Sequence, residues 1–481
     1  MLFDTPIYFV FLTAVVLAYW RLGHRQQNLM LLAASYFFYG WWDWRFLSLV
    51  LLSTVVDFYC ALAIEAAGAP ARRRLWLGVS LTLNLGLLGY FKYCGFFVDS
   101  FVHVLHALGV AHPNLAIVNV LLPPGISFYT FQAIAYIVDV HDRRIKPSRS
   151  LVDYALFISL FPHLIAGPIQ RPSHLLPQVA NARPFDGDQF QNGLMLIAWG
   201  LFRKSVIADN CAMLADAAFS GKLGAPSLLV VAIGTYAFAW QIYGDFSGYS
   251  MIARGSAQLL GFDFMSNFRQ PYLATSLQDF WRRWHISLST WLRDYLYIRF
   301  GGSRGTAWQT RRNLLATMVI GGLWHGANWT YAAWGAIHGL GLIVERLLQP
   351  GKKPESAVSR RPQPDESKLN FVDLWILRII VFHVVCLAWI FFRAPSFGAA
   401  FGMLAGLSVF EWRPEFATAL LFLASFSLPL LAIDLLNEHR GEEYPFERYQ
   451  GQWQAASVGA VLVTINLFAG SNASAFIYFQ F

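Results

Sequence analysis

Residues Gln278 to Tyr295 read QDFWRRWHISLSTWLRDY. If this stretch is one helix, steps of three and four put Trp281, Trp284, Leu288, Trp291 and Tyr295 on one broad aromatic stripe. The same spacing gathers Gln278, Arg282, His285, Ser289 and Arg293 on an adjacent polar stripe. Two such stripes suit either a helix lying at a membrane interface or one turning a polar face toward a cavity inside a membrane protein. From this stretch alone, both readings stand.

The surrounding chain decides that a membrane is involved. Of 481 residues, 56% are apolar, 16% are aromatic and 13% are charged, against about 25% charged in a soluble domain. Apolar runs recur near residues 5–20, 28–42, 46–66, 75–92, 115–139, 151–167, 190–208, 226–250, 312–346, 370–393, 415–436 and 453–470. Several are broken by Pro or Gly, as at Pro123-Pro124-Gly125 and Phe161-Pro162-His163, so their freed backbone groups need protein or a wet cavity around them. Length and pattern predict an all-α integral membrane protein of about 11 spans in a single domain, with some segments re-entrant or interfacial. A polar loop is expected at 349–369, and the first apolar run, which lacks a basic leader and a small-residue cleavage site, is expected to be retained as a span.

The net charge of +8 is spread over short segments between apolar runs, which indicates topology and not nucleic-acid binding. Arg21 and Arg25, then Arg72 to Arg74, then Arg143, Arg144, Lys146 and Arg149 follow the first, third and fifth runs. By the positive-inside rule the N-terminus lies outside the cytoplasm. Cys60, Cys94, Cys211 and Cys386 are scattered, without a CxxC pair, and read as small packing residues. The sequence contains no Walker loop, HExxH, GxSxG or metal-ligand spacing, which disfavours an ATP-driven pump, a zinc protease and a serine hydrolase; no metal is expected. No internal repeat of solenoid or propeller period is visible.

A second segment carries the strongest candidate for chemistry. In Gly321-Gly322-Leu323-Trp324-His325-Gly326-Ala327-Asn328-Trp329 a histidine sits between glycines in apolar sequence. A buried histidine is costly without partners, glycine permits close approach of backbone or ligand, and imidazole can take and return a proton near neutral pH. The alternative is a hydrogen-bonded packing histidine. His338 follows 13 residues later, about 220° around if the helix is continuous, so it cannot share a face with His325. It also lies in a small-xxx-small pattern, Gly335 to Gly339, that favours packing, and it ranks below His325 and His285. Asp245, Asn267, His163 and His383 are further polar groups in apolar context, each able to line a tunnel or bond a neighbouring helix.

These blocks resemble the membrane-bound O-acyltransferase family, and within it the bacterial branch of alginate O-acetylation membrane subunits and teichoic-acid D-alanine transfer proteins. The resemblance runs from MLFDTPIYFVFL and ASYFFYGWW through LGYFKY, LLPPGISFYTFQAIAYIVDV, LFPHLIAGPIQR, YGDFSGYS, WRRWHISLSTWLRDYLYIRFGG and GGLWHGANWTYAAWGAIHG to FFRA and the closing FIYFQF. It implies a ring of helices around a funnel or tunnel in a bacterial inner membrane, with His325 as catalytic base and His285 as the second catalytic position. Asp245, Asn267, Arg282, Ser289, Trp324 and Asn328 become candidates for lining the substrate path, with Arg282 or Arg283 pairing with donor phosphates. The implied reaction takes acetyl from a cytoplasmic thioester, acetyl-CoA, as a substrate and not a resident cofactor. It passes acetyl toward an exported polysaccharide such as alginate, with a periplasmic acetyltransferase as partner and lipid around the chain. A transporter of acyl donor or glycan, and a scaffold for an export complex, are the competing readings.

Overall fold

The computed structural model describes residues 1–110, 121–165, 167–348, 370–447, 451–469 and 477. The expected polar loop at 349–369 and the first residues of the 115–139 run lie outside the described residues. In chain order the helices are α1 (Pro6–Tyr19), α2 (His24–Asp43), α3 (Leu47–Ala66), α4 (Pro70–Leu88), α5 (Cys94–Ala107), α6 (Ile126–His141), α7 (Leu151–Ser159), α8 (Phe161–Leu164), α9 (Pro172–Ala180) and α10 (Gly187–Leu201). They continue with α11 (Asp209–Phe219), α12 (Leu228–Gln258), α13 (Leu277–Arg283), α14 (Ile286–Leu292), α15 (Ala307–His325), α16 (Trp329–Leu348), α17 (Phe371–Arg393), α18 (Phe397–Gly406), α19 (Pro414–Arg440) and α20 (Gln452–Phe468). The described residues contain no strand. That is the expected outcome in lipid for an open architecture, because a helix satisfies its backbone groups within its own segment.

Among the described residues, four helical stretches are long and apolar enough to cross a membrane: His24–Ala66, Pro70–Ala107, Phe371–Arg393 and Pro414–Arg440. Their outer faces carry exposed Phe37, Trp44, Phe371, Ile380 and Leu421, side chains that in water would be a liability and in lipid are at home. The count of about 11 spans rests on the sequence and on span length alone. Helices such as α12, α15 and α16 are diluted by polar groups buried in protein, among them Asp245, His325 and His338.

Contacts divide the chain into two compact units. One comprises Met1–Leu194 with Ala253–Met265, the other Met195–Ile252 with Ser266–Phe481. In the first unit, α3 and α4 are tied by a buried carboxylate: Asp57 accepts from Asn84 Nδ2 at 3.0 Å, from Ser53 Oγ at 3.3 Å and from Ser80 Oγ. Arg183 donates to Tyr19 Oη and Asn28 Oδ1, both at 2.6 Å, which fixes the segment after α9 against α1 and α2.

The second unit is organised around α12 and the α15–α16 hairpin. A π turn at Phe202–Ala208 follows α10 and carries two buried cations. Lys204 pairs with Asp209 at 2.7 Å and Asp245 at 3.0 Å, while Arg203 pairs with Asp434 at 3.2 Å. Buried charges persist because each has a partner of opposite sign and further donors; Asp434 also accepts from Tyr243 Oη at 2.7 Å. α15 begins with a capping box, Thr306 Oγ1 accepting from Gln309 N at 3.2 Å and Gln309 Oε1 from Thr306 N at 2.8 Å. Its contact with α16 is as close as backbones allow. A Cβ on Gly322 would stand 2.2 Å from the Tyr331 carbonyl oxygen, and one on Gly335 the same distance from that of Met318.

Two sequence expectations are overturned. Residues 278–295 are not one helix: α13 ends at Arg283, Trp284 is extended, and His285 takes left-handed backbone angles (φ 42°, ψ 54°) before α14 starts. Asn267 holds the break open, as described below, so the two continuous stripes do not exist. The 312–346 run is likewise a hairpin of two helices. α15 stops at His325, Gly326 is extended, and Asn328 opens α16 by accepting from Thr330 N at 3.0 Å. The angular separation of His325 and His338 expected for a continuous helix therefore does not apply.

Candidate active site

His285 is completely buried, and its place is set by Asn267. The Asn267 carbonyl oxygen accepts from Ile286 N at 3.0 Å, while its side-chain Oδ1 accepts from Ser287 N at 3.1 Å and meets His285 Nδ1 at 3.4 Å. The bond from Ser287 N fixes which end of the amide is oxygen, so His285 Nδ1 is the donor and Nε2 carries the lone pair. Asn267 Nδ2 in turn donates to Ser250 Oγ at 3.3 Å on α12. A non-glycine residue with positive φ is strained by about 1–3 kcal/mol, and such strain is kept where the surroundings over-determine the conformation. Here three bonds to Asn267 do so.

His325 comes from the other side, as the last residue of α15. It is 4% exposed and walled by Trp324, Trp334 and Phe392, with ring centroids 5.0, 5.2 and 5.3 Å away. The two histidine rings lie 6.3 Å apart, and Trp324 also faces His285 at 5.9 Å. Phe246 of α12 packs edge-on against His285 at 4.6 Å. Among the described residues, His285 Nε2 has no hydrogen-bond partner. The result is a pair of imidazoles in an aromatic enclosure, a setting in which electrostatic interactions are far less screened than in water.

The two rings sit at helix ends of opposite polarity: His325 ends α15, where backbone carbonyls point, and His285 precedes α14, where backbone N–H groups point. The effect of a helix end on a charge amounts to about 0.3–1 kcal/mol at exposed sites and about 2 kcal/mol when partly buried.

Of the residues singled out from sequence, His285, His325, Trp324 and Asn267 are brought together. The others are placed elsewhere. Asp245 serves the Lys204 ion pair and accepts from the Ile477 backbone at 2.6 Å. Ser289 Oγ donates to the Trp284 carbonyl at 3.1 Å, and Asn328 caps α16 while donating to the Pro395 carbonyl at 3.1 Å. Arg282 is exposed; Arg283 is buried and paired with Asp279 at 2.9 Å and Glu438 at 2.8 Å, so its charge is already balanced within the protein. His383 is held by Tyr236 Oη and the Ile379 carbonyl, both at 2.7 Å, a packing arrangement. His163 is buried beside Phe264 in the first unit. Trp334 and Phe392 escape the sequence reading. An apolar ring carries no chemical signature in sequence, although Phe392 lies in the FFRA block and Trp334 one turn before His338.

Comparisons with known proteins give the family. The profile of the MBOAT, membrane-bound O-acyltransferase family matches residues 139–389, which include Asn267, His285 and His325. A protein of Azotobacter vinelandii named probable alginate O-acetylase AlgI is 42% identical over 415 residues, covering 86% of this chain and 79% of that protein. The peptidoglycan O-acetyltransferase of Helicobacter pylori is 36% identical over 444 residues, 85% of this chain and 80% of that protein. The teichoic acid D-alanyltransferase of Bacillus subtilis is 27% identical over 303 residues, 60% of this chain and 71% of that protein. With the family profile matching more than half of the chain and the Azotobacter protein 42% identical along 86% of it, this multi-pass membrane protein belongs to the membrane-bound O-acyltransferase family and is an O-acyltransferase.

Proposed function

We propose that the protein transfers acetyl from a cytoplasmic thioester, acetyl-CoA, across the inner membrane toward an exported polysaccharide of the alginate kind, with His325 as the catalytic base. The observation that carries this reading is the pairing of two buried histidines 6.3 Å apart at helix ends of opposite polarity. The polysaccharide assignment leans on relatives named for alginate O-acetylation, and a periplasmic acetyltransferase partner would complete delivery.

In the reaction, the acceptor oxygen forms a bond to the acyl carbon as the C–S bond breaks. His325 takes the hydroxyl proton, and the α15 C-terminus stabilises the imidazolium that results. The same proton then goes to the departing thiolate, so acyl transfer leaves the protein unchanged and needs no net proton release. His285, whose Nδ1 donates to Asn267 and whose Nε2 lone pair is presented, accepts a hydrogen bond from a neighbouring hydroxyl of the acceptor and so orients the one whose proton His325 takes. The aromatic walls keep water from competing for the thioester. The N-terminus lies in the periplasm in this arrangement, and the basic segments lie on the donor side.

The test is thiol release and label transfer from radiolabelled acetyl-CoA by purified full-length protein, with and without a periplasmic partner, in wild type and His325→Ala. Turnover in the wild type that disappears in a folded His325→Ala protein supports the proposal. Equal turnover in both removes His325 from the chemistry, and binding of acetyl-CoA without thiol release would point to carriage of the donor instead.

A further inference from the structure

His338 has no role in the chemistry above, yet its surroundings are unusual for a packing residue. It is 1% exposed on α16, in a box of Phe280 (5.9 Å, parallel within 7°), Trp281 (5.1 Å, 80°) and Trp334 (4.9 Å, 69°). Gly335 and Gly339 on the same helix make the close contact with α15, so the packing expected of that pattern is done by the glycines, while His338 meets α13. Among the described residues, neither nitrogen of His338 has a hydrogen-bond partner, nor do the indole Nε1 atoms of Trp281 and Trp334. A buried polar atom left unpaired costs about 1–3 kcal/mol, so four around one aromatic box call for a partner that the described side chains and backbone do not supply.

The chemistry of the four atoms defines that ligand. The two indoles can only donate, and a neutral imidazole offers one donor and one acceptor. Three donors and one acceptor between flat apolar walls complement a chain of secondary amides, whose carbonyls accept and whose N–H groups donate. Position agrees. His338 is one turn along α16 from Trp334, which touches His325, and lies on the side leading to the end of the hairpin where Arg299, Arg304 and Arg312 are exposed and Arg346 reaches Ser303 Oγ at 3.5 Å. From Trp334 to Arg346 the helix rises about 18 Å. Arg293, Arg299, Arg304, Arg312 and Arg346 outnumber the acids of this end, Asp294 and Glu345, so its net charge is positive and suits phosphate.

We propose that His338, Trp281 and Trp334 form a subsite for the amide-bearing arm of the thioester donor, holding it in line with His325 while its phosphates stay at the arginine end. His338 is thus a positioning residue, and the inference rests on the donor reading given above.

The experiment is equilibrium binding of desulfo-coenzyme A and of adenosine 3′,5′-bisphosphate, a probe lacking the amide arm, to purified full-length wild type, His338→Phe, His338→Asn and His325→Ala. Thermal melts accompany each to show that the variants fold. The expected result is a loss of about tenfold or more, the worth of one uncharged hydrogen bond, in desulfo-coenzyme A affinity for His338→Phe. Affinity for the bisphosphate should be unchanged, and His338→Asn should recover part of the loss. In turnover, KM for the donor should rise while kcat at saturation changes little. Equal desulfo-coenzyme A affinity in a folded His338→Phe protein overturns the subsite and leaves His338 as packing, with ordered water as its partner. Wild type that binds neither probe defeats the donor reading itself, and a His325→Ala protein that binds both but does not turn over keeps that reading intact while the subsite is judged on His338 alone.

Discussion

Replacing Gly322 with alanine puts the close contact of α15 and α16 to a quantitative test. The added Cβ would lie 2.2 Å from the Tyr331 carbonyl oxygen, whereas ordinary contacts begin near 3.4 Å, so the two helices must part locally. Neither side can yield by a rotamer change, because the clash is with backbone. Gly322 is one turn before His325, and Tyr331 lies in the first turn of the helix whose Trp334 walls the histidine. A displacement of about 1 Å in a reacting group is enough to lower turnover about 100-fold. The assay is label transfer from acetyl-CoA by Gly322→Ala, with binding of desulfo-coenzyme A and a thermal melt as controls for folding. Gly459→Ala in α20, where an added methyl meets nothing within 4 Å, serves as the matched substitution and should retain full activity. A folded Gly322→Ala protein with wild-type turnover would refute the claim that backbone contact between these helices sets the position of His325.

Three other substitutions probe the supports of the site. Asn267→Ala removes the acceptor that holds both His285 and the Ser287 N–H; a loss of about 1–3 kcal/mol in stability is expected, measured by denaturant or thermal unfolding in detergent, together with a fall in turnover larger than in Ser289→Ala. Lys204→Met leaves Asp209 and Asp245 as uncompensated buried charges and should cost about 3–5 kcal/mol by the same unfolding measurement, whereas Lys204→Met combined with Asp209→Asn and Asp245→Asn should recover much of it. Thr306→Ala removes the side-chain acceptor of the α15 capping box and should cost about 1 kcal/mol by the same unfolding measurement, with kcat at saturating donor unchanged because the cap is at the far end of the helix from His325.

The membrane class was legible because lipid imposes a composition, and the burial of His325 beside His285 could be suspected because a histidine among glycines in apolar sequence needs a reason. Helix breaks were less so. The residues from Gln278 to Tyr295 have good helical spacing, and only the tertiary bonds from Asn267, lying outside that stretch, make a left-handed His285 tolerable. The turn after His325 had a local sign, Gly326 followed by Asn328, but the unbroken apolar run concealed it. Asp245 looked like a tunnel group for the same reason that it is buried: polar residues in apolar sequence need partners, and sequence does not say whether the partner is a substrate or Lys204. The aromatic walls at Trp334 and Phe392 left no trace to distinguish them from the many rings that face lipid.

The central claim is that His285 and His325 work as one catalytic unit, and a double-mutant cycle on acyl turnover tests it most directly. Label transfer is measured for wild type, His285→Ala, His325→Ala and the double variant, each shown to fold. The two-histidine account predicts strong non-additivity, with the double variant no slower than His325→Ala alone. Losses that multiply in the double variant would contradict it and make the two residues independent contributors.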